Sequence, residues 1–179
     1  SGNKLAIFGF KKFGKKSTLV FPFRINGAKY ISIGKKAHVN EGSWMLAFKN
    51  SEKDPVIKIG SGAYIGRFVH IVAVNRIDIK ENVAMADKVY ISDNAHNYED
   101  VNTLMKEQDI LDYGPVVIGE NTWLGENACI MGASIGKHCV IGVNAVVTKD
   151  IPDYSIAVGS PAKVIRQYNQ ATKKWEKVS

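Results

Sequence analysis

The four histidines, at positions 38, 70, 96 and 138, are the side chains best suited to exchange protons near neutral pH. No two of them lie within ten residues of each other, so the sequence does not predict a pair of adjacent metal ligands. Cys129 and Cys139 form no zinc motif, and we expect no metal. Each histidine is therefore a candidate single acid–base group, whose role depends on where the fold places it.

Basic side chains are the second chemical feature. The chain has 24 lysine and arginine residues against 17 acidic residues, a formal charge of +7. This excess indicates an anionic partner, and composition alone leaves open a nucleic acid, a membrane surface or a phosphorylated cofactor. No basic stripe with stacking aromatic residues is present, so we expect no nucleic acid. Since no apolar run approaches the ~20 residues that cross a bilayer, and two cysteines make no disulfide framework, we expect at most peripheral membrane contact and a cytoplasmic location.

A six-residue repeat determines how these side chains are positioned. Ile and Val together number 37, whereas Leu numbers six, a composition typical of sheet rather than helix. An aliphatic residue begins each repeat, Gly often follows, and a small or β-branched residue takes position five. Period six with glycine predicts a short strand and a corner, and three such rungs close one triangular coil of a parallel β-helix. The first positions are Ile59, Ile65, Ile71, Ile79, Met85, Ile91, Ile118, Leu124, Ile135 and Ile141.

The repeat also predicts the organisation of the chain. We expect an all-β prism over residues 31–161, interrupted by loops over 44–56 and 97–115. Residues 1–30 show no clear repeat and are predicted to cap the open end of the prism. After residue 161 the spacing changes, which predicts a C-terminal α-helix and tail over 162–179. This spacing is carried by Val164, Ile165, Tyr168, Thr172 and Trp175.

The repeats and the segment after them resemble the hexapeptide-repeat acyltransferases, whose fold is a single-stranded left-handed parallel β-helix. The similarity covers about residues 57–168, and its most specific part runs from Ile135-Gly136-Lys137-His138 through Val146-Val147-Thr148-Lys149-Asp150 to Val158-Gly159-Ser160-Pro161. The most similar branch contains galactoside and maltose acetyltransferases and the sugar O-acetyltransferases of polysaccharide synthesis. The resemblance implies acetyl-CoA as acetyl donor, a homotrimer with the cofactor between adjacent subunits, and a histidine that deprotonates the acceptor hydroxyl.

In this register the catalytic histidine of the family falls on His96, the last residue of the rung that begins at Ile91. A base that activates an alcohol near neutral pH needs a pKa in the ordinary range of histidine side chains. Asp93, Glu99 or a backbone carbonyl is expected to orient the ring. The resemblance also implies cofactor contacts, with cationic side chains on the phosphates, from Trp123, Glu126, Val143, Thr148, Lys149, Lys163 and Arg166.

The acceptor is less well specified. Galactoside-type enzymes carry an acceptor-binding Asp one coil before the histidine, where this chain has Ala73-Val74-Asn75. A simple galactoside is therefore not expected, and a sugar or polysaccharide precursor is the leading acceptor. The residues expected to bind it are His70, Asn75, Arg76, Asp78 and Asp93.

Other functions remain open at this stage. N-acetylation of an amino sugar, or acetylation of a xenobiotic, would use the same fold and donor. A γ-type carbonic anhydrase shares the fold, but it needs three histidines at a subunit interface, and the histidines here are dispersed. A non-catalytic β-helix scaffold is the last alternative, in which phenylalanines and lysines near the N-terminus would form an interfacial anchor.

Overall fold

A computed structural model describes residues 9–178, and in them short strands follow one another around a triangular prism. Face A contains β1 (Lys12–Phe13), β4 (Ile31–Ile33), β7 (Val56–Ile59), β10 (Arg76–Ile79) and β15 (Val116–Ile118). Face B contains β2 (Thr18–Leu19), β5 (His38–Val39), β8 (Tyr64–Ile65), β11 (Ala84–Met85), β16 (Trp123–Leu124), β18 (Val140–Ile141) and β20 (Ser155–Val158). Face C contains β3 (Arg24–Asn26), β6 (Trp44–Ala47), β9 (His70–Ala73), β12 (Tyr90–Ser92), β17 (Cys129–Met131) and β19 (Val146–Val147). All these strands pair in parallel with the strand of the next coil, which confirms the predicted parallel β-helix.

The prism interior is built from the repeat. All ten first-position residues are buried, with no more than 2% of their surface exposed. Position five is filled by small or β-branched side chains such as Ala63, Val83 and Ala128, which are also fully buried. Burying an aliphatic side chain of this size stabilises the fold by roughly 1.5–3 kcal/mol. The six-residue period therefore specifies one continuous apolar core along the prism axis.

Two of the three edges of the prism turn regularly. Each turn between faces A and B (edge AB) or between faces B and C (edge BC) has one residue with positive φ, for example Asn82 and Asn127. Asn and Gly tolerate this left-handed backbone better than other residues. Coils also approach closely at these turns, because a Cβ on Gly119 would lie 2.4 Å from the backbone of Gly136 in the next coil. Position two of the repeat therefore needs glycine where coils stack.

The third edge, between faces C and A (edge CA), is irregular and carries both long insertions. The first connects β6 to β7 over residues 48–55, so it is shorter than the predicted loop over 44–56. The second leaves face C after β12 and returns at β15, over residues 93–115, so it begins four residues before the predicted loop over 97–115. It is not structureless, because β13 (Asn94–His96) pairs antiparallel with β14 (Ile110–Asp112) and residues 105–107 form a 3₁₀ turn. Edge CA is the only edge at which the described chain departs far from the coil.

The β-helix begins before the predicted boundary at residue 31. Residues 1–8 of the predicted cap lie outside the described residues, but β1, β2 and β3 form a complete first coil. Phe13, Leu19 and Ile25 are six residues apart and pack against the core, so the period extends into this segment. A phenylalanine in the first position and the lack of glycine after Leu19 and Ile25 conceal it in the sequence.

The predicted C-terminal α-helix over 162–179 is wrong. Residues Lys163–Asn169 form β21 and Lys174–Lys177 form β22, an antiparallel hairpin that extends face B beyond β20. Asn169 ends β21, since its side-chain oxygen accepts hydrogen bonds from the backbone of Ala171 and Thr172 in a tight turn. The hairpin hydrogen-bonds the open edge of β20, and that gain outweighs a helical spacing of only five residues. No helix in residues 9–178 is long and apolar enough to cross a membrane.

Candidate active site

His96 lies on the hairpin that projects from edge CA. In this hairpin, β13 and β14 pair residue by residue, with His96 opposite Ile110. The His96 imidazole is exposed and makes no hydrogen bond with any side chain or backbone group in the described residues. The imidazole is thus held on a paired strand while both ring nitrogens stay accessible to a substrate.

A buried carboxylate fixes the base of this hairpin. Asp93 is fully buried, and its two oxygens accept hydrogen bonds from the backbone N–H groups of Val74 and Asn75, each at 2.9 Å. The Asn94 side-chain amide donates a third hydrogen bond at 2.9 Å. Both Asp93 oxygens are therefore occupied within the chain. Asp93 positions the hairpin on the preceding coil, and it makes no hydrogen bond to the His96 ring. Its contact with an acceptor stays a prediction.

Two further contacts support the hairpin, and sequence reasoning missed both. The Asn75 amide donates to the two oxygens of Asp112 at 2.9 and 3.2 Å, and Asp112 also accepts from the Gly114 backbone N–H at 2.8 Å. The Asn50 amide, from the first insertion, donates to the Ile110 carbonyl at 3.0 Å. The Asp-Tyr-Gly-Pro sequence at 112–115 is a turn signal that marks Asp112, whereas nothing in the sequence indicates the long-range partner Asn50.

The predicted cofactor residues lie on two different edges of the prism. Thr148 and Lys149 follow β19 on edge CA, and a recess there is lined by Tyr113, Met131, Gly132 and Thr148. Glu126 and Val143 lie on edge BC, where Glu126 pairs with Lys88 at 3.3 Å. Lys163 and Arg166 are exposed on β21, and Trp123 is 45% exposed on face B. Within one chain Thr148 and Lys149 lie on the same edge as the hairpin that carries His96, whereas the other predicted cofactor residues lie elsewhere.

His70 does not reach the hairpin. It lies at the edge BC end of β9, where its ring stacks on Trp44 with centroids 4.2 Å apart and meets Tyr90 edge-on at 5.2 Å. Burial lowers the pKa of the His70 imidazole, so the neutral ring is favoured. The sequence expectation that His70 lines the acceptor cleft gains no support from this position, because an aromatic stack explains it.

Arg76 and Asp78 lie side by side on β10, just after Asn75. Asp78 is 4% exposed, and its Oδ2 accepts from Lys80 at 2.8 Å and from Arg76 at 3.2 Å. Burial alone would raise the pKa of the Asp78 carboxyl, but the hydrogen bonds from Lys80 and Arg76 outweigh it and lower the pKa below its ordinary value. This cluster is a polar surface next to the hairpin base. Among residues 9–178, no three His, Cys, Asp or Glu side chains converge as a metal site would require.

Comparisons with known proteins place this fold in one class. Residues 115–149 match the family profile described as a hexapeptide repeat of succinyl-transferase. The N-acyltransferase AntD from Bacillus cereus superposes with a TM-score of 0.77 over 96% of this chain and 92% of its own at 16% identity, which shows the fold alone. A hexapeptide-repeat acetyltransferase from Vibrio cholerae, complexed with acetyl coenzyme A, superposes with a TM-score of 0.60 at 25% identity, over 90% of this chain and 73% of its own. The chain is thus a hexapeptide-repeat protein.

Sequence relatives narrow the class to a family. The putative lipopolysaccharide biosynthesis O-acetyl transferase WbbJ of Escherichia coli K12 is 33% identical over 164 residues, which cover 88% of this chain and 82% of that protein. A probable acetyltransferase of Mycobacterium tuberculosis is 38% identical over 137 residues, which cover 76% of this chain but 44% of that protein. The chain belongs to the hexapeptide-repeat acetyltransferases, as its repeats predicted. It spans less than half the length of the mycobacterial relative.

Proposed function

We propose that this protein transfers an acetyl group from acetyl-CoA to a hydroxyl of a sugar or polysaccharide precursor. The observation that carries the proposal is the exposed His96 imidazole, held on a hairpin with buried supports and without a partner in the described chain. The O-acetyltransferase relative and the acetyl-CoA-bound Vibrio structure support the same reaction. An alcohol needs a general base at neutral pH, and His96 is the accessible imidazole at the irregular edge.

His96 would act twice in the reaction. It accepts the proton of the acceptor hydroxyl while the hydroxyl oxygen forms its bond to the thioester carbonyl carbon. It then returns that proton to the sulfur as the carbon–sulfur bond breaks and coenzyme A leaves as a thiol. In this scheme the acetyl group passes directly from donor to acceptor.

The cationic side chains fit a phosphorylated donor. Lys149, Lys163 and Arg166 are exposed, and none of them forms an ion pair with another described residue. Each can therefore pair with the pyrophosphate or the 3′-phosphate of coenzyme A by charge-assisted hydrogen bonds. Glu126 is already paired with Lys88, so it would contribute through its backbone.

Arg166→Ala is expected to raise the Michaelis constant for acetyl-CoA about tenfold, the effect of losing a contact worth roughly 1.5 kcal/mol. Turnover should change little, because the phosphates bind equally in the ground and transition states. Lys174→Ala removes an equally exposed cation from β22 and serves as the control. If Arg166 holds the 3′-phosphate, dephospho-coenzyme A should bind the parent and the variant alike. An unchanged Michaelis constant would remove Arg166 from the donor site.

We also propose a homotrimer, because one chain holds the two halves of the donor site on different edges. Each half has exposed apolar neighbours: Val101, Leu104 and Met105 on the hairpin insertion are 91%, 59% and 64% exposed, and Val143 on edge BC is 57% exposed. An adjacent subunit that packs the part of edge BC around Glu126 and Val143, in the fifth and sixth coils, against edge CA would bury both surfaces and complete the site.

Light scattering should therefore give three times the chain mass of 19.7 kDa. Val101→Asp combined with Leu104→Asp is expected to dissociate the trimer and to abolish transfer, because charged side chains would be buried at the interface. The control variant Val178→Asp changes an exposed residue just after β22 and should leave the mass of the particle unchanged. A parent particle with the mass of one chain would exclude the inter-subunit site.

The acceptor class is tested by a screen that follows the thiol released from acetyl-CoA. Burial raises the pKa of the Cys129 and Cys139 thiols, so the protein adds little background to a thiol reagent. Both cysteines are free, which supports a reducing cytoplasm as the location. Sugars and glycans with free hydroxyls should release thiol, and each should be compared with its amino-sugar counterpart. Faster release with the amino sugars would favour N-acetylation instead.

A further inference from the structure

The positive charge of the protein is concentrated in the first two coils. Residues 9–50 carry nine basic side chains and one acidic side chain, whereas residues 51–178 carry fourteen basic and sixteen acidic. The first segment is thus strongly cationic and the remainder is slightly anionic. A net charge of +7 for the whole chain conceals this asymmetry.

These cations surround one end of the prism. β1, β2 and β3 are the terminal strands of faces A, B and C, so the first coil closes that end of the described structure. Six exposed lysines lie on the first and second coils, and none of them forms an ion pair with a described residue: Lys11, Lys12, Lys15, Lys16, Lys35 and Lys36. Because coils are stacked about 4.8 Å apart, all six lie within a Debye length of a plane placed against the first coil.

Exposed phenylalanines lie on edge BC of the same end, whereas the six lysines lie at β1 and on edge AB. Phe21 and Phe23 in the first coil are 75% and 73% exposed, and Phe68 in the third coil is 58% exposed. Phe21 and Phe68 occupy the positive-φ position of their turns, at 31° and 56°, where Gly42, Asn127 and Asn144 stand in other coils. A bulky side chain is unfavourable there, by roughly 1–2 kcal/mol. Phe21 and Phe68 therefore adopt a backbone conformation that disfavours a bulky side chain, and their rings remain largely exposed.

We propose that this end of the prism docks on a lipid bilayer that carries anionic headgroups. Exposed lysines and phenylalanines together are the combination that binds such a surface, by attraction to the headgroups and by insertion of rings at the acyl boundary. Within residues 9–178 the first coil is the last of the stack, so side chains from all three of its sides lie near one plane. A second copy is disfavoured as the occupant because two strongly cationic ends repel each other.

Docking would place the catalytic edge beside the membrane. Asn50, which follows the second coil, holds Ile110 opposite His96, so the hairpin contacts the part of edge CA that is near the docking end. Three coil spacings, about 15 Å, separate the first coil from the coil that ends at β12. Together with the proposed function, this orientation suits an acceptor anchored in the same membrane.

Co-sedimentation with vesicles tests the docking without any acetyl transfer. The parent should pellet with phosphatidylcholine vesicles that contain phosphatidylglycerol and not with phosphatidylcholine alone, and it should detach at about 1 M salt, where screening reaches ~3 Å. Lys15→Ala with Lys35→Ala should lower the partition coefficient about thirtyfold, at roughly 1 kcal/mol per lysine. The control pair, Lys174→Ala with Lys177→Ala at the opposite end, should bind as the parent does.

The double variant Phe21→Asn, Phe68→Asn tests whether the two rings contribute to membrane docking without contributing to the stability of the fold. Asparagine tolerates the positive φ, so this variant should melt no lower than the parent while its partition coefficient falls about tenfold. His96→Ala should bind vesicles like the parent, which separates this inference from the proposed chemistry. Equal binding to both kinds of vesicle, or no binding to either, would overturn the proposal. If the protein bound a DNA duplex but did not sediment with either kind of vesicle, the surface would be assigned to nucleic acid instead.

Discussion

His96→Ala is expected to lower turnover by a factor on the order of 10²–10⁴, which is the usual contribution of a positioned general base. The imidazole is exposed and lacks partners in the described chain, so its removal leaves no buried group unsatisfied. Folding and donor affinity should therefore stay at parental values. The measurement is initial-rate kinetics at saturating acetyl-CoA, together with a thermal melt and coenzyme A binding.

His38→Ala provides a matched control. His38 occupies the same sixth position of a repeat and is also exposed, but its Nδ1 hydrogen-bonds the Thr18 hydroxyl at 2.9 Å on face B, far along the coil from the insertion. Its loss should leave turnover unchanged. If the His96 variant kept more than about half of the parental turnover, catalysis would need another base. The alternative that the protein is a non-catalytic β-helix scaffold would then be favoured.

Asp93→Ala is expected to lower the free energy of unfolding by about 3–5 kcal/mol. The substitution leaves the backbone N–H groups of Val74 and Asn75 and the Asn94 amide buried without a hydrogen-bond acceptor. Turnover should fall with it, since the hairpin that carries His96 loses its attachment to the coil. Chemical denaturation measures the first effect, and activity at a temperature well below the melt measures the second.

Asp150→Ala is the comparison for this variant. Asp150 lies on the same edge and accepts a hydrogen bond from the Ser134 backbone N–H at 2.7 Å, but its side chain is exposed. Water replaces a partner there, so the loss should be about 1 kcal/mol or less. An Asp93 variant that folds like the parent but binds the acceptor poorly would restore the sequence expectation that Asp93 contacts substrate.

The repeats explain why so much of the prism could be predicted. A strict period places Ile65, Ile71 and Met85 in the core whatever the rest of the sequence does, and the position of His96 follows by counting. The first coil obeys the same period at Phe13 and Leu19, but too little glycine follows to mark its turns. Periodicity therefore predicts the coils well and their starting point poorly.

Long-range polar contacts are what the sequence could not supply. The antiparallel pairing of β13 with β14, the Asn50 contact to Ile110 and the Asn75 contact to Asp112 join segments that have no common period. The C-terminal hairpin was misassigned for a related reason, since five residues at helical spacing also fit two strands with aromatic Tyr168 opposite Trp175. Strand pairing with the open edge of β20 decides between these two structures, and that edge is visible only in the fold.

The hairpin insertion closes on itself, and this closure bears on how such enzymes diversify. The Tyr113 backbone N–H donates to the Asp93 carbonyl at 2.8 Å, so the insertion departs from and returns to nearly the same point of the coil. Lengthening a loop whose ends already meet is inexpensive, about 0.6 kcal/mol per doubling. Edge CA can therefore exchange one insertion for another while the stacked coils keep their register. Acceptor preference can therefore change when the insertion at edge CA is replaced, while the prism that binds the donor stays the same.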